Sequence, residues 1–366
     1  MESDVILVIV VGTALAFDFT NGFHDTANAV ATSISTRAMA PRVAVALAAV
    51  LNFVGAFLSL AVAATIASGI VNAADITPEI VFAGLIGAIA WNLATWYFGL
   101  PASSSHALIG GVVGATIAAV GTSGVYFDGL VEKVVIPALV APTLALLAAG
   151  IAILIIYRIV GRQHPGNVSR GFRLGQLVSG SLFSLSHGTN DAQKTMGIIF
   201  LALVANGNLT PDDEIPTWVI VSAATAIALG TYVGGWRIIR TMGTRIIKMD
   251  PAQGFAAQGV GATVILAASH VGFPLSTTHV ISGAIMGAGA AKRISAVRWG
   301  VAGNIVVAWV LTLPASAAVG ALTYGVTRLF GTGSAGPMVV SIALLLALIW
   351  ALARRVTHGR TLTAEA

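Results

Sequence analysis

NGFHDTANA (residues 21–29) and SHGTNDAQK (186–194) are two polar stretches set inside long runs of apolar residues. A second polar pair accompanies them, PASSSH (101–106) and PLSTTH (274–279), and in both pairs the copies lie at nearly the same separation along the chain. Polar motifs that occur twice within oily segments are how a membrane transporter builds one central site from two repeats. This reading predicts an all-α polytopic membrane protein of about ten to twelve transmembrane segments. It further expects two inverted-topology repeats, with broken helices and re-entrant hairpins.

Composition agrees. The 366 residues are 57% hydrophobic and only 9% charged, with mean hydropathy +0.91, whereas a soluble domain carries roughly 25% charged residues. The absence of cysteine excludes disulfides and thiolate metal sites. The 41 glycines suit close helix packing in lipid. The opening MESDVILVIV has no basic n-region and is expected to begin a first membrane helix, not a cleaved signal. The net charge of +5 comes from cations in loops between apolar spans, so the expected partner is the lipid bilayer and not nucleic acid.

Apolar segments run over about 5–35, 43–71, 79–98, 106–123, 134–158, 176–204, 217–237, 253–271, 279–291, 299–328 and 337–353. The pieces that follow the Ser/Thr-rich motifs, 279–291 above all, are short for a crossing and read as half-helices or parts of re-entrant hairpins. Five loops hold most of the basic residues: Arg37 and Arg42; Arg158, Arg162, Arg170 and Arg173; Arg237, Arg240, Arg245 and Lys248; Lys292, Arg293 and Arg298; and Arg354, Arg355 and Arg360. Alternating spans put all five on one side, which is then the cytoplasmic face of the plasma membrane, with the N-terminus outside and the C-terminus inside. The expected organisation is a first membrane repeat (1–160), a cytoplasmic linker (161–174), a second, inverted repeat (175–330) and an extra C-terminal helix with a short tail (331–366).

Asp18, Asp25, Asp191 and Lys194 fall deep in apolar spans, where each costs about 2.5–3.5 kcal/mol at a helix centre. On a helix, Asn21, Asp25, Asn28 and Thr32 form one narrow polar stripe, and His187, Asp191 and Lys194 form its echo. Gly22 and Gly188 each precede the Asp by three residues, which favours a local break that frees backbone groups for ions. The functional reading assigns Asp25, Asp191 and Asn21 to a coupling cation, and Asn28, Asn190 and Lys194 to an anion. The structural alternative is helix–helix hydrogen bonding; duplication disfavours it for Asp25 and Asp191, and it is preferred for the unduplicated Asp18.

In PASSSH and PLSTTH, proline ends one helix and Ser or Thr opens the next. Helix N-termini rich in hydroxyls are ready oxyanion sites, so Ser103, Ser104, Ser105, Ser276, Thr277 and Thr278 are expected to surround an anion. The alternative is capping or back-bonding to carbonyls one turn away. His106 and His279, doubled in register, are candidates for orienting hydroxyls or sensing protons.

Together NGFHDTANAVAT, SHGTNDAQK, LPASSSH, PLSTTHV and AWVLTLP (308–314) resemble the PiT family of inorganic phosphate transporters, and its bacterial low-affinity permeases in particular. The likeness covers about residues 10–330. It implies a duplicated inverted fold and no enzymatic activity. It also implies import of phosphate by symport with Na⁺ or H⁺ and no cofactor beyond that cation. Asp25, Asn28, Asn190 and Asp191 become site residues by this resemblance, with Asp25 and Asp191 as metal ligands under Na⁺ coupling. His24, where many members carry Asn, and Lys194, where the first half has Asn28, resemble the permeases that use protons or carry metal–phosphate complexes. His24 thereby joins the proton-sensing candidates. The long hydrophilic central loop of some members is absent here. Arsenate is the expected analogue of phosphate, and a homodimer the assembly to test.

Two other functions fit parts of the sequence. A sulfate or related oxyanion permease would use the same helix ends. An intramembrane hydrolase would use Ser105 or Ser104 with His279 or His106, but a catalytic pair needs one copy of each group and the duplication would be redundant. A passive anion channel leaves the two buried carboxylates without a purpose.

Overall fold

In the computed structural model, which describes residues 2–347 and 349, nearly all of the chain is helical and the helix ends follow the sequence's own punctuation. Proline stands in the first turn of α2 (Pro41–Gly55), α4 (Pro78–Phe98), α8 (Pro165–Ala205) and α11 (Pro251–His270), where its missing N–H is not needed. Asp250 and Gln253 close a capping box at the start of α11. Gly99, in the left-handed region at φ 67°, ends α4. The other elements are α1 (Glu2–Ser35), α3 (Ala61–Ser68) and α5 (Ser104–Val120). The short α6 (Phe127–Leu130) runs through the π turn Val131–Val135 into α7 (Ile136–Val160). The second half adds α9 (Thr217–Val233), α10 (Trp236–Arg240), α12 (Thr277–Lys292) and α13 (Trp299–Arg328). A final apolar helix covers Ala335–Ala347. Among the described residues, the one pairing of extended backbone is an isolated bridge between Val71 and Val125.

Four described helical stretches are long and apolar enough to cross a bilayer by themselves: Asp4–Ser35, Pro78–Phe98, Phe127–Val160 and Trp299–Arg328. Thr217–Val233 with Trp236–Arg245 makes a fifth, bent by 58°. That is fewer than the expected ten to twelve, for two physical reasons. The 41-residue α8 carries Asp191, Lys194 and a polar face, and α2, α5 and α12 are 15, 17 and 16 residues long. At about 1.5 Å per residue such helices fall short of a hydrocarbon core about 30 Å thick. The segment expected as one span over 43–71 is two helices, with the chain turning at 56–60. The end of the expected 337–353 span, with Arg354, Arg355 and Arg360 and the C-terminus, lies outside the described residues.

Glycines set the close crossings. A Cβ on Gly22 of α1 would lie 2.3 Å from the Ile227 carbonyl oxygen of α9, and one on Gly230 of α9 would lie 2.1 Å from that of Phe19 on α1. The same lock joins α8 to α2, where a Cβ on Gly188 would lie 2.2 Å from the Asn52 carbonyl oxygen and one on Gly55 would lie 2.2 Å from that of Leu185. This corrects the expected helix breaks: α1 and α8 run unbroken through their Asp motifs. Gly22 and Gly188 serve close backbone contact instead. The hairpins α4–α5 and α11–α12 are held alike. Gly110 and Gly114 of α5 seat against Leu313 and Ala317 of α13, and Gly283 and Gly287 of α12 against Pro142 and Leu146 of α7. Each half thus lends helices to cover the other.

Candidate functional site

Asp25 and Asp191 meet where α1 and α8 pass each other, at 2% and 0% exposure. One oxygen of each and a ring nitrogen of His187 lie within 4.8 Å of one another. The tips of both hairpins reach this point, because Ser103 and Ser276 start α5 and α12 there. Each caps its helix by accepting the N–H three residues on, from His106 at 3.1 Å and from His279 at 3.2 Å.

The contacts then fall in matching pairs. Ser104 donates to Asp25 at 3.3 Å, and Thr277, one place after the other cap, donates to Asp191 at 3.3 Å. Ser105 accepts from Lys194 at 2.5 Å, and Thr278 accepts from Asn28 at 2.9 Å. His24 Nε2 lies 3.0 Å from the Thr95 hydroxyl on α4, and Asn190 donates to the Ser269 hydroxyl on α11 at 2.7 Å. Thr278 also donates to Asp25 at 3.4 Å, so one tip touches both carboxylates.

The charges are unequal. Lys194 uses all three of its hydrogens, on Asp191, on the Ser105 hydroxyl and on the Leu275 carbonyl at 2.8 Å. It therefore ties both hairpin tips to one carboxylate. His187 Nε2 approaches the other Asp191 oxygen at 3.2 Å, and its Nδ1 lies 3.3 Å from the Asn52 amide oxygen. Asp25 has His24, at 2.6 Å, as its ion-pair partner among the described residues. Among the described residues, the amide oxygens of Asn21, Asn28 and Asn190, like that of Asn92, are buried without a hydrogen bond. Oxygen donors of this kind beside two carboxylates are hard ligands that suit Na⁺, and the carboxylate–imidazole set also suits a divalent ion.

Ser103 and Ser276 serve as helix caps, and Ser104, Thr277 and Thr278 are the hydroxyls that donate to the carboxylates; Ser105 instead accepts from Lys194 and donates to the Leu275 carbonyl at 3.4 Å. Accordingly, Ser103→Ala and Ser276→Ala are each expected to lower stability by about 1 kcal/mol in denaturant titration of the purified protein. Ligand binding by either variant should stay near wild type; a large loss of binding with unchanged stability would make them ligands. Asp18, expected as helix glue, is fully buried and has Thr195 of α8 and Asn21 beside its carboxylate.

His106 and His279 meet edge to face at 4.7 Å, and His279 stacks on Trp309 at 4.1 Å. Trp309 in turn donates to the Pro101 carbonyl at 3.1 Å. No ring nitrogen of either histidine bonds a hydroxyl among the described residues, so they do not orient Ser or Thr. The Ser–His contact that a hydrolase needs is missing for the same reason. His187 and Asn52 join the site beyond the residues assigned to it from sequence. His187 had a signal, its place one helical turn before Asp191, matching Asn21 before Asp25; Asn52 stood only as a lone amide in an apolar run.

Paired buried carboxylates, hydroxyl-bearing helix starts and a membrane-crossing fold define a membrane transporter. A profile of the Phosphate transporter family matches residues 21–320. The chain is 58% identical over 327 residues to a Mycobacterium tuberculosis protein named "Probable low-affinity inorganic phosphate transporter", covering 89% of this chain and 78% of that one. Proteins of the same name from Rhizobium meliloti and Bacillus subtilis are 51% and 46% identical, each match covering 87% of this chain and 96% of the relative. A solved structure titled "The sodium-dependent phosphate transporter" superposes with a TM-score of 0.75 at 27% identity, over 88% of this chain and 99% of that one. The chain belongs to the phosphate transporter family, a family of multi-pass membrane proteins that transport and are not enzymes.

Proposed function

We propose that this protein imports inorganic phosphate across the plasma membrane by symport with H⁺ or Na⁺. The observation that carries the reading is the convergence of hydroxyls from both hairpin tips on Asp25 and Asp191. Phosphate takes the place of those carboxylates as acceptor for Ser104, Thr277 and Thr278, and of the Leu275 carbonyl as acceptor for Ser105, with Asn28, Asn190 and Lys194 turning to it as further donors. The carboxylates then turn to the coupling cation, joined by the Asn21 amide oxygen, or to the metal of a metal–phosphate complex. The helix N-termini add partial positive charge without a basic cluster. His24 and the His106–His279 pair are the groups proposed to respond to protons. The matched contacts support two inverted repeats over 1–160 and 175–330, joined by 161–174, and the basic loops support an N-terminus outside. The names of the relatives, and the sodium dependence of the solved neighbour, support phosphate and a cation gradient respectively.

The test is uptake of labelled phosphate by liposomes holding the purified protein under an imposed H⁺ or Na⁺ gradient. Accumulation is expected with one of the two gradients and is expected to vanish in Asp25→Asn plus Asp191→Asn. Full accumulation by that double variant would sink the symport reading. Unlabelled arsenate should compete and sulfate should not; equal competition by sulfate would make the protein a general oxyanion permease. Unchanged uptake in Ser105→Ala plus Thr278→Ala would remove the hairpin tips from the anion site.

A further inference from the structure

At one rim of the molecule a cavity of about 570 Å³ is walled by Lys248, Lys292, Arg293 and Arg298 and floored by the buried Ile247 and Gln253. The cations come from three segments: the stretch after the π turn Thr241–Arg245, the end of α12, and the turn that leads into α13. Two bonds stitch the walls together. The Arg298 N–H donates to the Ile246 carbonyl at 3.0 Å, and its guanidinium to that of Thr244 at 3.1 Å. The nearby acid, Asp250, is already engaged by the Tyr157 hydroxyl at 2.7 Å and by Lys292 at 3.4 Å. Lys248, Arg293 and Arg298 have no carboxylate partner among the described residues.

The depth of this cavity is set by its neighbours. The spans Phe127–Val160 and Trp299–Arg328 end and begin beside it. Tyr157, near the end of the first, holds Lys292 5.8 Å from its ring centre. Trp299 opens the second at 50% exposure, next to Ile294 at 71%. Aromatic residues at span ends mark the headgroup level of a bilayer. Membrane topology by itself accounts for basic loops. It does not account for three cations without a carboxylate partner gathered around one concavity, beside exposed apolar side chains.

We propose that this cavity binds the phosphodiester headgroup of an anionic phospholipid, with the acyl chains lying along Ile294 and Trp299. Phosphate oxygens would take the free donors of Lys248, Arg293 and Arg298, and net negative charge distinguishes the ligand from a zwitterionic lipid. The site is separate from the buried carboxylates, so it stands whether or not the transport reading holds.

The test is native mass spectrometry of the full-length protein, released from neutral detergent after incubation with phosphatidylglycerol or phosphatidylcholine. Phosphatidylglycerol adducts should be retained in preference to phosphatidylcholine. Lys248→Gln plus Arg293→Gln should weaken retention about 30-fold, from roughly a fivefold loss for each charge near a membrane surface. Both side chains are exposed, and each single variant should show an intermediate loss, so that a folding failure of the double variant does not decide the matter. Equal retention of the two lipids, or undiminished retention in the variants, overturns the proposal. Displacement of phosphatidylglycerol by millimolar inorganic phosphate would name free phosphate as the occupant and overturn the lipid.

Discussion

Lys194→Met is expected to abolish phosphate uptake and to destabilise the protein by about 3–5 kcal/mol, because it takes the lysine from a buried carboxylate and leaves it only His187 and Thr277 among its present partners. Lys194 is 1% exposed. Its three hydrogens join Asp191 to Ser105 of one hairpin tip and to Leu275 of the other. Methionine fills much of the same volume but donates nothing, so Asp191 keeps a charge in a low-dielectric interior and two further acceptors lose a donor. Adding Asp191→Asn removes that charge. The double variant should regain most of the stability in denaturant titration while uptake stays lost. Near wild-type uptake by Lys194→Met would show that the lysine is a packing group and not part of the anion site.

Gly287→Ala and Gly114→Ala are expected to prevent stable folding or to cost about 1–3 kcal/mol or more each, by overpacking. Their new Cβ atoms would sit 1.9 Å from the Leu146 carbonyl oxygen and 2.1 Å from that of Ala317. In both cases the obstacle is the backbone of a neighbouring helix, which cannot swing aside as a side chain does. Gly259→Ala and Gly303→Ala are the controls. They lie inside α11 and α13 with nothing within 4 Å of the added atom, so alanine should be neutral or should stabilise by about 0.5–1 kcal/mol. Thermal unfolding in one detergent compares all four. Equal effects at crowded and open positions would mean that helix propensity, not helix approach, governs these glycines.

Duplication made much of the site legible. A lone aspartate in an oily run is ambiguous, but Asp25 with Asp191, and Ser104 and Ser105 with Thr277 and Thr278, stand at equal offsets from shared landmarks. The structure brings them within contact. Glycine was misread because one letter serves two purposes. Gly22 and Gly188 suit a broken helix and a close crossing equally well, and only the neighbour's position decides between them. A sequence signal for the crossings did exist. Gly110 and Gly114 follow His106 by four and eight residues, and Gly283 and Gly287 follow His279 by the same steps. The turn at 56–60, AFLSL, carries neither proline nor glycine, so nothing local marks it. Asn52 and Trp309 enter the site through tertiary packing, which no single segment encodes.

The exchange of covering helices has a consequence for how the chain is made. As synthesis proceeds, α1 and α5 emerge long before α9 and α13, the partners shaped to their glycine faces. The early helices must therefore wait in the bilayer with lipid against surfaces meant for protein. The site cannot be completed stepwise from one end: its two carboxylates can meet once α8 has been delivered, but the second hairpin tip, at the start of α12, arrives only later.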